Sequence, residues 1–218
     1  MKKILAMIAL MLPVAVMAQE KESKIAIPQA EKTITMAAEL SRYGYANKDA
    51  LSLIQAARLS KQLGLTAEQK EKAEEGAAVG ESGQKSGQVS LDAAKLLADA
   101  KEIAGDDGVL LALIDDVNAN VRGAVGGPKY ANDRVNAGAT DVDRVQFRAG
   151  ELAIVTVSGD GDTDLDLYVY DSNDNLIDSD TDYSDDCVCM WTPRWTGTFT
   201  IKIKNRGSVY NRYVIHTN

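Results

Sequence analysis

Amino-acid usage in this chain changes character near residue 140, and that change constrains the fold more than any other feature. Residues 19–140 contain 23 alanines, whereas residues 141–218 contain only Ala149 and Ala153; both tryptophans, both phenylalanines and five of the eight tyrosines fall in the later segment. Alanine loses no side-chain entropy in a helix, while aromatic and β-branched side chains suit a pleated surface. Helices therefore come first and strands second. The expectation is a multidomain α plus all-β chain: a small helical bundle over 19–126, a linker over 127–138, and an antiparallel, jelly-roll-like β-sandwich over 139–218.

The first residues read as a leader. Met1-Lys2-Lys3 carries two positive charges, an uncharged run over 4–16 follows, and Val16-Met17-Ala18 precedes Gln19. This is the pattern of a secretory signal peptide, expected to be cleaved after Ala18. A run interrupted by Pro13 falls short of the roughly 20 apolar residues that a spanning helix needs, so no transmembrane segment is expected after cleavage. A secreted or periplasmic location follows. Lys plus Arg number 24 against 32 Asp plus Glu, a net charge of −8 that repels nucleic-acid phosphates, and loss of Lys2 and Lys3 takes it to −10.

In the first half, Met36, Leu40 and Tyr43 keep one helical face and Gly44 follows as a stop, which predicts a helix over 29–43. A second helix is expected from the N-cap Asn47 to Gly64. Thr66 with Gln69 forms a capping-box pattern that predicts a charged helix to about Ala73, followed by a flexible Gly- and Ser-rich loop over 76–88. The apolar pattern restarts at Ser90, runs through Leu96, Leu97, Ala100 and Ile103 to Gly105, and resumes at Leu110, Ile114, Val117 and Val121 before Gly126. These stripes fit either a bundle packed on itself or a groove for a partner.

From Asp143 the period falls to two. In Asp164-Leu165-Asp166-Leu167-Tyr168-Val169-Tyr170-Asp171, Leu165, Leu167 and Val169 face one way and the Asp and Tyr residues the other. About seven short strands separated by turns suggest a β-sandwich. Several segments carry a resemblance: Val145-x-Phe147-x-x-Gly150, the run from Ser158 through Gly159-Asp160-Gly161-Asp162-Thr163 to Asp171, Gly197-Thr198-Phe199, and Tyr210-Asn211-Arg212-Tyr213. Over roughly the last 80 residues the chain resembles the bacterial pre-peptidase C-terminal domain. The resemblance implies a jelly-roll-like accessory domain of secreted bacterial proteins, with roles in secretion, attachment to insoluble substrates and, in some members, calcium binding. In this chain the segment before it reads as helical rather than as a protease.

Residues 158–186 contain eleven Asp and no Lys or Arg. Asp160, Asp162, Asp164 and Asp166 recur at every second position, so on extended backbone their carboxylates project from one face about 7 Å apart and repel one another. Ca²⁺, a hard ion that takes oxygen ligands, would relieve the repulsion, and these four are the candidate ligands. A solvated acidic rim is the other reading. No EF-hand is present, because Leu165 and Asp171 stand where that loop needs Gly and Glu.

Catalysis has few candidates. Cys187 and Cys189, the only cysteines, are either a strained redox pair or two small apolar residues on the core face with Trp191. His216 is the sole imidazole and, near the end of the last strand, is expected at the surface or a sheet edge. No phosphate-cradling Gly-rich motif occurs. The expected function is a non-enzymatic binding or attachment module acting on an extracellular polymer or an exported protein. A structural subunit of an exported complex and an accessory of a secreted hydrolase are the alternatives.

Overall fold

The computed structural model describes residues 27–68, 72–76, 87–119 and 129–218. The expected leader, most of the loop at 76–88 and the start of the linker lie outside these residues. Helix α1 (Gln29–Asn47) runs through Gly44 instead of stopping there. A Cβ on Gly44 would lie 2.6 Å from Leu53 Cδ2, so the glycine permits close approach of α2 (Ala50–Gln62). The stop is Lys48, left-handed at φ 50°, and the cap of α2 is Asp49, not Asn47: its carboxylate accepts from Leu51 N at 3.0 Å.

Asp92 and Asp107 cap the next two helices in the same way, α3 (Ala93–Ala104) and α4 (Gly108–Ala119). Leu53, Ile54, Leu96, Leu97, Ile114 and Val117 then close one cluster between α2, α3 and α4. Most of these helices' apolar stripe residues are buried in the chain's own core, while Leu51 and Ile103 stay exposed and Val121 lies outside the described residues. No helix among the described residues is long and apolar enough to cross a membrane.

The charged helix expected from Thr66 does not form. In its place are two strands, β1 (Thr66–Ala67) and β2 (Lys72–Glu75). The rest follow as β3 (Lys129–Val135), β4 (Thr140–Phe147), β5 (Ala153–Gly159), β6 (Leu165–Tyr170), β7 (Leu176–Asp180), β8 (Asp186–Trp191), β9 (Gly197–Asn205) and β10 (Asn211–Thr217). Two five-stranded sheets result, ordered β1-β3-β10-β5-β8 and β2-β4-β9-β6-β7. Every ladder is antiparallel except β1 with β3. Strand β3 occupies most of the stretch read as linker.

Tertiary contacts explain why helix propensity lost at 66–75. Lys72 Nζ lies 2.9 Å from Asp141 on β4 and also pairs with Asp133 on β3, so it ties β2 to both sheets. The buried Asp141 also accepts from Tyr213 of β10 at 2.7 Å. Burial raises the Asp141 carboxyl above its ordinary range against the opposing pull of Lys72 and Tyr213. One hydrophobic core draws on both sheets: Val155, Val157, Tyr213 and Ile215 from the first, and Leu165, Leu167, Val169, Phe199, Ile201 and Ile203 from the second. The alternation read along β6 holds.

Candidate functional site

The first sheet has two unlike faces. Along β10, Tyr213 and Ile215 enter the core, so Arg212, Val214 and His216 project from the opposite face. Helix α1 covers part of that face. Its Ile34, Ala37 and Ala38 pack with Tyr130 and Val214, and its Glu31 reaches His216, Oε2 to Nδ1 3.0 Å, with the two side chains 5% and 1% exposed. The pair is at ion-pair distance but not aligned for a hydrogen bond, and among the described residues neither ring nitrogen has a hydrogen-bond partner. His216 is thus buried at the centre of a sheet rather than on its surface. The cause is α1, whose docking on β10 no local pattern in the last strand announces.

A second polar contact fixes the other end of α1. Arg42 donates to Asp185 at 3.0 Å, to Asp186 at 2.6 Å and to the Gly159 carbonyl at 3.2 Å. Burial raises the Asp185 carboxyl above its usual range, even though Gly161 N–H and Arg42 oppose the shift. Two members of the acidic run, Asp185 and Asp186, thus attach the helix to one end of the sheet.

Past the area that α1 covers, the same face carries a cationic cleft of about 360 Å³, lined by Ser90, Lys95, Asn132, Asp133, Arg134 and Arg212 among others. Arg212 on β10 stands directly opposite Arg134 on β3. Like charges in such register are destabilising, and here both guanidinium groups lie 5.0 Å from the Tyr210 ring centroid, which relieves part of the repulsion. Among the described residues neither guanidinium forms an ion pair; Arg212 Nη1 is placed 3.5 Å from the Gly87 carbonyl. The nearby acids are engaged elsewhere, Asp133 with Lys72 and Asp99 with Lys95 at 2.6 Å. Two guanidinium groups with open hydrogen-bonding capacity make this an oxyanion-binding geometry.

The four Asp residues expected to hold calcium have separate partners. Asp160 is buried and accepts from Arg212 N at 2.8 Å, while Asp162 accepts from Gly87 N at 3.0 Å. Asp164 accepts from Ser184 N at 3.2 Å. Asp166 pairs with Arg206 at 2.5 Å and accepts from Tyr168 Oη at 2.8 Å. Among the described residues no three carboxylate, imidazole or thiol groups come together as a metal site. The fit to a cation is poor, because backbone amides and Arg206 already meet the charges that an ion would meet. Cys187 and Cys189 form no disulfide and are 1% and 0% exposed in the core with Trp191, and burial raises both far above the usual thiol range.

Sequence reasoning missed the cleft. Arg134 lies in the stretch read as linker, and Arg212 entered only as part of a family motif. Alternation about Tyr213 places Arg212 away from the core, but its juxtaposition with Arg134 depends on pairing residues 78 positions apart. No protein-family model matches the chain, and no curated protein matches it.

Proposed function

We propose that this chain is a secreted or periplasmic, non-enzymatic binding or attachment module. Its strand region is a jelly-roll-like β-sandwich of the kind found in pre-peptidase C-terminal domains, and its helices brace one face of that sandwich. The cationic cleft beside α1 carries the proposal, because it brings together at a concave surface two arginines that form no ion pair among the described residues. The chemistry available elsewhere supports a binding role over turnover. The one imidazole lies under α1 and both thiols are in the core, so neither meets substrate. The ligand is an extracellular polymer presented to the cleft.

Retention of the secreted chain on insoluble envelope and matrix polymers tests this reading. The expected result is cosedimentation with at least one polymer, reversed by soluble fragments of it. If the chain instead stays in the supernatant with every polymer and elutes in fixed stoichiometry with another exported protein, it is an assembly subunit and the proposal fails.

A further inference from the structure

Resting on that binding reading, we infer that the cleft takes an acidic sugar: a uronate-type residue of an acidic polysaccharide, with its carboxylate against Arg134 and Arg212. Three observations carry this. The first is the facing pair of arginines, whose mutual repulsion is only partly relieved by Tyr210 and would be relieved further by an anion between or beside them. A guanidinium fork binds a carboxylate through two parallel N–H donors, so the pair selects an oxyanion over a halide or a neutral group.

The second is the company the arginines keep. Ser90 and Asn132 line the same cleft. Ser90 lines it while only 2% exposed; its Oγ accepts from Asp92 N at 3.1 Å, and its hydroxyl proton has no acceptor among the described residues. The Asn132 carboxamide has no hydrogen bond among the described residues, and it can both donate and accept. A ligand that matches two charged forks flanked by a hydroxyl and an amide is a carboxylate flanked by hydroxyls, which describes a sugar acid.

The third is the surrounding charge. The chain is net −8, and residues 158–186, with eleven Asp, include Asp160 and Asp162, which contact Arg212 N and Gly87 N beside the cleft. A polymer with one charge per 1.7 Å of axis, such as duplex nucleic acid, meets that negative field along its length, whereas a more sparsely charged chain can offer one acid group to the cleft.

Titration of the full secreted chain with oligogalacturonate and with neutral malto-oligosaccharide of equal length, followed by calorimetry, tests the inference. Binding is expected for the acidic oligosaccharide only, weakening as salt rises. R134Q and R212Q should each weaken it by about tenfold or more, the loss of one charge-assisted pair. R134K and R212K, which keep charge but lose the fork, should fall between wild type and the Gln variants. Melting curves of all four variants report whether the fold is retained, and the Lys pair supplies the comparison if a Gln variant unfolds. The inference is overturned if folded R134Q and R212Q bind as wild type does, if the neutral oligosaccharide binds equally, or if neither oligosaccharide binds. If the double variant R134Q/R212Q still sediments with a polymer as wild type does, the attachment reading survives and the cleft is not its site; if wild type binds oligogalacturonate in solution yet is retained on no polymer, the sugar-acid site stands and the attachment reading falls.

Discussion

The buried pair between Glu31 and His216 gives the sharpest prediction, because it is the polar contact that joins the first turn of α1 to the first sheet. Replacing His216 by Leu keeps a side chain of similar bulk and leaves Glu31, 5% exposed, without the imidazole beside it. For a buried pair that is ionised, removing one partner costs about 3–5 kcal/mol, since the remaining charge stays desolvated. For a domain of this size each kcal/mol moves the melting midpoint about 2–4 °C, so H216L should melt about 6–20 °C below wild type. E31L should also be destabilised, through loss of the carboxylate beside the buried imidazole. The double variant E31L/H216L removes both polar groups where Ile34, Ala37, Tyr130 and Val214 already pack, so it should regain most of the loss. Thermal melts followed by far-ultraviolet circular dichroism on the three variants complete the cycle. A midpoint for H216L within 2 °C of wild type, about the least shift that 1 kcal/mol produces, would refute the argument, as would a double variant no more stable than the worse single one.

Three further outcomes follow from the same structure. Burial raises Tyr213 well above its ordinary value of 10.0 and Tyr130 to about 12, and Asp133 and Asp141 hold Lys72 above 10.5 although burial alone would lower it. All three bind their proton more tightly folded than unfolded, so the stability they contribute is complete below about pH 10 and is lost as pH rises through the folded values; urea midpoints should fall across that window, less steeply in Y213F, and a flat profile would contradict the assignment. Millimolar Ca²⁺ should leave the melting midpoint unchanged relative to chelator, because Asp160, Asp162, Asp164 and Asp166 are held by protein donors; a gain near the 2.7 kcal/mol of a ligand at about 100 times its Kd would restore the calcium reading. Cys187 and Cys189 should resist a thiol reagent in the folded chain and react together on unfolding, and labelling of native protein at the unfolded rate would refute their burial.

What the sequence made legible was whatever depends on near neighbours. Period two along β6 placed Leu165, Leu167 and Val169 in the core, and it needed only the pleat to do so. The amphipathic runs of α3 and α4 were read correctly in kind for the same reason. Where the reading failed, a distant partner overrode a local preference. Gly44 resembles a helix stop until Leu53 is known to press against it. Thr66 and Gln69 resemble a capping box until Lys72 is known to reach Asp133 and Asp141.

The candidate site failed to show for a stronger version of that reason. Spaced carboxylates in 160–166 suggested repulsion awaiting a cation, and the structure adds the question of whether the protein itself supplies positive charge or amide donors there. Arg206, Ser184 N, Gly87 N and Arg212 N all do, and all come from segments outside that run. A like-charge pair only partly relieved lies instead at Arg134 and Arg212, where the two charges are brought together by strand pairing and not by sequence spacing. An electrostatic conflict therefore marks a ligand site only after the protein's own counter-charges have been placed. By that criterion the acidic run serves mainly to fasten the fold, and the two arginines are the groups left to meet something from outside.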